Sequence, residues 1–212
     1  MAIVLPGKFI YLATMATGSE RVAAGLKRIE GAFAAYDKRQ GIGHHATLDQ
    51  VRTVCGDQLT KSEVIFTTIR NPYDMLVTWF LRNRDHFQMR RLKETLKREP
   101  TFQEFIDVWL QFDAEPKLRC RPYMVEGRIF YQAMTCSQVV RYENLQAELD
   151  GVMRKIPGVP GSVLLAPEQP DPGRDHWSLY YDDATYAYVN EHFQAEFMQF
   201  GYPFLWSNNS LA

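Results

Sequence analysis

The chain has 212 residues, and its 24 Lys and Arg nearly balance its 25 Asp and Glu, which gives a formal net charge of -1. Hydrophobic residues make up 46% and charged residues 23%, values typical of globular proteins and not of disordered ones. The length predicts a single domain over residues 1–212. The balanced charge argues against a bulk nucleic-acid binder, and three cysteines without a CxxC pair argue against a disulfide scaffold or a cysteine zinc site.

The first predicted feature is an apolar start over residues 1–5, interrupted by Lys8. No charged segment precedes it, and no apolar run in the chain is long enough to cross a bilayer. The sequence therefore predicts a cytoplasmic protein without a membrane partner. It gives no expectation for the oligomeric state.

The elements that follow alternate between strands and helices. Strands are predicted over 8–13, 64–69 and 138–141, and helices over 19–31, 47–55, 72 onward, 101–112, 144–155 and 182–200. In the third helix Asn71 is the N-cap, Pro72 takes the first position and Asp74 lies in the first turn. Residues 156–175 carry five prolines and three glycines and predict irregular backbone. Strands separated by helices predict an α/β fold with a mainly parallel central sheet flanked by helices.

The first candidate anion site follows the first strand. Thr17, Gly18, Ser19 and Glu20 stand where the strand passes into a helix. A helix N-terminus presents unpaired N–H groups, Gly18 permits close backbone approach, and two hydroxyls add donors, which together suit a phosphate. The alternative is an ordinary capped turn.

The second candidate anion site follows the strand over 64–69. Arg70 at this strand end is suited to bidentate phosphate binding, and Thr78 in the next helix offers a hydroxyl. The alternative is an arginine that pairs with Asp74 or another carboxylate. Residues 70–98 hold eight basic and three acidic residues, which indicates either a solvated basic helix or a local field that attracts an anion.

Two phosphate-binding strand ends in this order resemble the PAPS-dependent sulfotransferases (PAPS is 3′-phosphoadenosine 5′-phosphosulfate). The segment RNPYDMLVTWF is similar to that family's R-[DN]-P-x-D-x-x-x-[ST]-x-[YF] element, and VVRYENL is similar to its strand followed by Y-E-[DN]-L. HWSLYYDD and the closing FGYPF are similar to C-terminal segments of bacterial and carbohydrate sulfotransferases. The resemblance spans about residues 8–204 and implies a P-loop NTPase-like sulfotransferase fold.

The resemblance also implies an activity and a set of roles. The family transfers a sulfuryl group from PAPS to a hydroxyl or amine of a small-molecule or carbohydrate acceptor and releases 3′-phosphoadenosine 5′-phosphate (PAP), without a metal. The implied nucleotide contacts are Thr17, Gly18, Ser19 and Glu20 at the 5′-phosphate, Arg70 and Thr78 at the 3′-phosphate, Tyr142 near the adenosine, and Arg174 in a closing loop. For Arg174 a solvent-exposed loop arginine is the equal alternative.

One position departs from the family's first loop, which usually has the sequence P-K-[ST]-G-[ST]-[ST]. Ala16 stands where the family has a lysine that stabilises the leaving oxygen. Loss of one such donor costs about 10²–10³ in rate. Either another cation substitutes, with Arg21 and Arg174 as the first candidates, or the protein binds the nucleotide without efficient transfer.

The candidate general base lies in the segment GHHAT, between the two candidate phosphate sites. Histidine accepts a hydroxyl proton near neutral pH, and the segment is similar to one near the acceptor in carbohydrate and bacterial sulfotransferases. His45 is the first candidate and His44 the second. Glu20 and His176 are further candidates, and the adjacent histidines could instead cap a helix or occupy a turn.

Three functions therefore follow from the sequence. The first is a PAPS-dependent sulfotransferase. The second is a catalytically degenerate PAP- or PAPS-binding protein of the same fold, as suggested by Ala16. The third is a P-loop-type kinase, which fits less well because the chain has no G-x-x-x-x-G-K-[ST] segment.

Overall fold

The computed structural model describes residues 2–35, 45–61, 63–82, 87–110, 130–168 and 174–206, with the backbone alone at 87, 88, 91 and 108–110. The chain forms two compact units. Unit 1 comprises Met1–Arg70 and Phe130–Gln169, and unit 2 comprises Asn71–Ile129 and Pro170–Ala212. The single domain expected from the length remains a prediction.

Unit 1 is built on a five-stranded sheet. Its strands are β1 (Ala2–Leu5), β2 (Phe9–Leu12), β3 (Phe33–Ala35), β4 (Val64–Ile69) and β5 (Gln138–Arg141), in the spatial order β3-β1-β2-β4-β5. β2 pairs with β4 and β4 pairs with β5 in parallel, whereas β1 pairs with β2 and with β3 antiparallel. The predicted α/β class is confirmed, and the sheet is mixed.

Helices cover both faces of this sheet because its strands are apolar on both sides, as expected for a buried sheet. One face packs against α1 (Ser19–Leu26) and α7 (Leu145–Met153), and the other packs against α2 (Leu48–Cys55). Alternate strand residues divide between the faces. Ile3, Phe9, Tyr11, Phe66 and Val140 lie on the first face, and Ala2, Val4, Ile10 and Leu12 lie on the second.

The predicted mainly parallel sheet is wrong at one edge, where the first two strands form a hairpin. Residues 6–8 form the turn, and Gly7 takes the left-handed conformation with φ 69°. A turn this short permits only antiparallel pairing, because a parallel pair needs a crossover of a dozen or more residues. The apolar start of the chain is therefore β1, which the sequence analysis did not assign.

Unit 2 is helical and is held together by aromatic side chains. Its helices are α3 (Pro72–Arg82), α4 (Phe87–Leu96), α5 (Phe102–Leu110), α8 (Asp183–His192) and α9 (Gln194–Phe200), while the short α6 (Tyr131–Met134) belongs to unit 1. Tyr73 is fully buried and contacts four aromatic rings, those of Trp177, Tyr181, Tyr186 and Phe197. Its hydroxyl donates to Asn190 Oδ1 and accepts from the backbone N–H of Leu205.

Helix starts were predicted better than helix ends. Asn71 Oδ1 accepts from the N–H of Tyr73 at 3.0 Å, so the predicted N-cap at Asn71 is confirmed. Thr47, where the second helix is predicted to begin, forms a capping box with Gln50. The single helix predicted over 182–200 is wrong, since Phe193 leaves helical geometry (φ -111°, ψ 22°) between α8 and α9. The helix predicted over 19–31 ends at Leu26.

Within the described residues, none of the helices is long and apolar enough to cross a membrane.

Candidate nucleotide site

The candidate site lies at the carboxyl edge of the parallel part of the sheet in unit 1. β2, β4 and β5 run in parallel, so their carboxyl ends meet at one edge. The loop over 13–18 follows β2, Arg70 follows β4 and Tyr142 follows β5. This edge is where open α/β sheets bind ligands.

The loop over 13–18 has a backbone suited to an anion. Ala16 and Gly18 have φ of 56° and 71°, whereas Thr17 between them does not have a positive φ. Alternation of this kind is typical of loops whose successive backbone N–H groups bind an anion. The N–H groups at the start of α1, from Ser19, lack acceptors within the helix and add its positive dipole end. A left-handed non-glycine residue costs about 1–2 kcal/mol, so Ala16 holds a strained conformation.

Hydroxyl groups buried beneath this loop form a directed chain of hydrogen bonds. Thr17 donates to the carbonyl of Thr14 at 2.8 Å, so its oxygen accepts from Thr68 at 2.6 Å, and Thr68 accepts from Tyr11 at 3.1 Å. Burial raises the pKa of Tyr11 well above its usual value, which keeps this hydroxyl protonated. The Thr17 hydroxyl therefore supports the loop from below, and the loop offers a ligand mainly its backbone N–H groups.

Arg70 lies against the loop and is 4% exposed. Its Nη1 donates to the carbonyl of Ala16 at 3.2 Å, and its guanidinium carbon lies 4.0 Å from the centre of the Tyr142 ring. The planar guanidinium is thus held by a main-chain oxygen and by an aromatic face. This arrangement fixes a positive charge beside the residue that stands in the family's lysine position.

Tyr142 connects Arg70 to the rest of the loop. A Cβ placed on Gly18 would lie 2.9 Å from two carbons of the Tyr142 ring, so only glycine fits at this position without a shift. The Tyr142 hydroxyl donates to Glu168. Burial, reinforced by this hydrogen bond, raises the pKa of Tyr142 above its usual value. The Arg70 guanidinium lies over the Tyr142 ring, and the same ring packs against Gly18.

Arg21, one of the candidate substitute cations, is directed toward the segment after α7. Its Nε donates to the carbonyl of Ala166 at 2.8 Å, and its Nη1 lies 3.9 Å from a carboxylate oxygen of Glu168. Glu168 thus joins Arg21 to Tyr142. Glu20 is exposed in the first turn of the same helix.

His45 lies beside the start of the loop. Its Nδ1 is 2.9 Å from the carbonyl oxygen of Ala13, the residue that follows β2. A carbonyl only accepts, so Nδ1 carries the proton and the neutral ring has its lone pair at Nε2. Gln132 in α6 donates to the His45 carbonyl at 3.3 Å and helps to position this residue. His44 lies outside the described residues.

Thr78 and Arg174 belong to unit 2, where other contacts engage them. Thr78 is fully buried and donates to the carbonyl of Asp74 at 2.9 Å, within its own helix. Arg174 forms an ion pair with the Asp74 carboxylate, and both side chains are largely buried, at 17% and 15% exposure. Asp74 therefore engages two of the residues that the resemblance implies for nucleotide contact, Thr78 through its carbonyl and Arg174 through its carboxylate.

His176 is exposed in unit 2, and its ring caps the short helical turn over Trp177–Tyr180. Its Nδ1 accepts from the backbone N–H of Ser178 at 3.4 Å and lies 2.8 Å from that residue's hydroxyl. The described part of the chain contains no group of three or more His, Cys, Asp or Glu side chains that could hold a metal ion.

The sequence analysis missed the residues that support the loop. Thr67 and Thr68 are fully buried in β4, where Thr67 pairs with Thr14 at 2.8 Å and Thr68 pairs with Thr17. Two adjacent threonines in an otherwise apolar strand, VIFTTI, were the available signal. The contact between Arg70 and Ala16 had no sequence signal, because it joins residues 54 positions apart.

Comparisons with known proteins do not identify a function for this site. The chain matches no family model, no curated protein and no solved structure.

Proposed function

We propose that the chain is a PAPS-dependent sulfotransferase of the P-loop-like type. The observation that carries the proposal is the buried Arg70 guanidinium, 3.2 Å from the carbonyl of Ala16 in a loop whose N–H groups suit a phosphate. His45, a candidate base, contacts the same loop at Ala13. A cation, an anion-binding loop and a proton acceptor within one unit are what sulfuryl transfer from a phosphosulfate anhydride requires.

The proposed reaction transfers the sulfuryl group directly to the acceptor. The acceptor oxygen or nitrogen forms a bond to sulfur while the bond from sulfur to the bridging 5′-phosphate oxygen breaks. PAP leaves with that electron pair, and the acceptor proton passes to the base. The backbone N–H groups at Gly18 and Ser19 would stabilise the charge on the departing phosphate.

We assign the base to His45. Its Nδ1–H is held by the carbonyl of Ala13, so Nε2 is the nitrogen that takes the acceptor proton. Because the donor is already activated, the proposed reaction uses no metal. The proposed acceptor is a hydroxyl or amine on a small molecule or a carbohydrate. We also propose that the protein is cytoplasmic.

Turnover of PAPS over a panel of phenol, sugar and amine acceptors tests this function. The wild type should release PAP in an acceptor-dependent manner, and His45→Gln should lower kcat by about 10²–10⁴. His176→Gln is the matched control, since this exposed histidine caps a turn in unit 2, and its kcat should stay within about twofold of wild type.

Ala16 supports a second candidate, a protein that binds PAP or PAPS without efficient transfer. This candidate predicts PAP binding without turnover by any acceptor in the panel. Turnover would remove it. Tighter binding of ATP with magnesium than of PAPS would contradict both candidates and favour a kinase.

A further inference from the structure

We propose that Arg70 binds the 5′-phosphate end of the nucleotide, at the loop over 13–18, and not the 3′-phosphate that the family resemblance implies. This inference rests on the proposed function and specifies one residue of the same site. It makes Arg70 the cation that compensates for Ala16 in the first loop.

The first argument is the position of the guanidinium. Arg70 Nη1 donates to the Ala16 carbonyl at 3.2 Å, so the cation lies beside the residue with the left-handed backbone. A phosphate bound by the N–H groups that follow would lie close to this charge. Guanidinium and phosphate attract strongly at such range, and more strongly away from bulk water.

The second argument is that this position is fixed by contacts on more than one side. The Tyr142 ring lies 4.0 Å from the guanidinium carbon, and the same ring abuts Gly18 so closely that a Cβ there would lie 2.9 Å from it. Arg70, Tyr142, Ala16 and Gly18 thus form one packed cluster. A side chain with 4% exposure in such a cluster loses little further rotamer freedom when a ligand binds.

The third argument concerns Thr78, the residue paired with Arg70 in the implied 3′-phosphate site. Its hydroxyl donates to the Asp74 carbonyl at 2.9 Å, and its side chain is fully buried. Arg70, by contrast, contacts the loop that follows β2. The two residues of the implied pair thus bond to different main-chain oxygens, Thr78 to that of its own helix and Arg70 to that of the loop over 13–18.

The test measures the affinities of three nucleotides for the wild type and for Arg70→Ala by calorimetry. Ligand-observed NMR covers the weak binding. PAP carries both phosphates, 5′-AMP carries only the 5′-phosphate and 3′-AMP carries only the 3′-phosphate. We expect Arg70→Ala to weaken PAP and 5′-AMP by the same factor, about tenfold or more, and to leave 3′-AMP within twofold. Weakening of PAP and 3′-AMP with 5′-AMP unchanged would overturn the inference and leave the proposed function standing.

Absence of PAP binding to the wild type would instead contradict the proposed function, so the two failures are distinguishable. Arg141→Ala is the matched control. It removes an exposed arginine that pairs with Ile69 at the same end of the sheet, and all three affinities should stay within twofold.

If Arg70→Ala does not fold, Arg70→Lys provides a second variant for the same affinity measurements. Lysine retains the charge but loses the planar fork, so PAP and 5′-AMP should weaken together by a smaller factor. A loss confined to PAP and 3′-AMP in this variant would also overturn the inference.

Discussion

The two units use their polar side chains differently. In unit 1, main-chain oxygens hold Arg70 and His45 at the carboxyl edge of the parallel strands, against the loop over 13–18. In unit 2, Thr78 donates within its own helix and Arg174 pairs with Asp74. The first arrangement fixes an arginine and a histidine beside the loop over 13–18, and the second stabilises the start of a helix.

The boundary between these two uses of polar side chains falls within one continuous segment of the sequence. Arg70 ends the first part of unit 1, and Asn71 begins unit 2 as the N-cap of α3. A phosphate-binding motif and a helix-capping motif use the same residue types, arginine, asparagine and threonine. Contacts across the fold, and not spacing along the chain, decide which use each residue has.

The largest effect is expected for Gly18→Ala, which tests whether the loop over 13–18 differs from an ordinary turn. Gly18→Ala combines a left-handed non-glycine residue with a Cβ 2.9 Å from Tyr142, so we expect a loss of about 2–4 kcal/mol in the free energy of unfolding. PAP binding should weaken as well, because Tyr142 also positions Arg70. Urea unfolding and calorimetry measure the two effects.

Gly7→Ala is the matched control for this substitution. Gly7 has nearly the same φ, 69° against 71°, but a Cβ there would meet nothing within 4 Å. Only the backbone cost should remain, about 1–2 kcal/mol, with PAP affinity unchanged. Equal losses in the two variants would contradict the close contact between Gly18 and Tyr142.

Effects of intermediate size are expected when two buried threonines, one in each unit, are each replaced by valine. Thr68→Val removes a hydroxyl that lies between Tyr11 and Thr17, so we expect a loss of about 1–3 kcal/mol and weaker PAP binding. Thr78→Val removes a hydrogen bond within one helix, so we expect a loss below about 1 kcal/mol and PAP affinity within twofold of wild type. A tenfold loss of PAP affinity in Thr78→Val would place Thr78 in the phosphate site.

The smallest effect lies in unit 1, at Glu63. Burial alone would raise the pKa of Glu63, but hydrogen bonds from the N–H groups of Thr60 and Gly7 outweigh it and lower the pKa below its usual value. A carboxyl with a lowered folded-state pKa contributes stability above its unfolded-state pKa, and that contribution is lost as the pH falls through the folded-state pKa.

Glu63→Gln should therefore flatten the acid limb of the stability profile. Unfolding of the wild type and the variant, measured by urea from pH 7 down to about pH 3, should differ by up to about 1 kcal/mol at neutral pH and converge in acid. PAP affinity at neutral pH should not change. A difference that grows as the pH falls would contradict the assigned direction of the pKa.

Local signals predicted much of the fold. The α/β class, the strand over 64–69, and the N-caps at Thr47 and Asn71 follow from hydrophobic pattern and capping chemistry, and the structure confirms them. The antiparallel hairpin and the break at Phe193 were missed. The apolar start over residues 1–5 predicted no strand, and no glycine or proline marks the break at Phe193.

The candidate site followed the same pattern. The loop after β2 and Arg70 after β4 could be predicted as candidates because strand ends that precede helices are visible in sequence. Ala16, which the sequence marks only as a replaced lysine, accepts a hydrogen bond from Arg70, and the sequence predicted no role for Thr68, which contacts Thr17. Both contacts join residues more than 50 positions apart, a separation that no local pattern encodes.

Calorimetric titration of the wild-type chain with PAP tests the central claim most directly, with adenosine as the uncharged comparison. The account predicts saturable PAP binding that is at least tenfold tighter than adenosine binding, because the loop over 13–18 and Arg70 recognise phosphate. Equal affinity for the two ligands, or no binding of PAP, would contradict it.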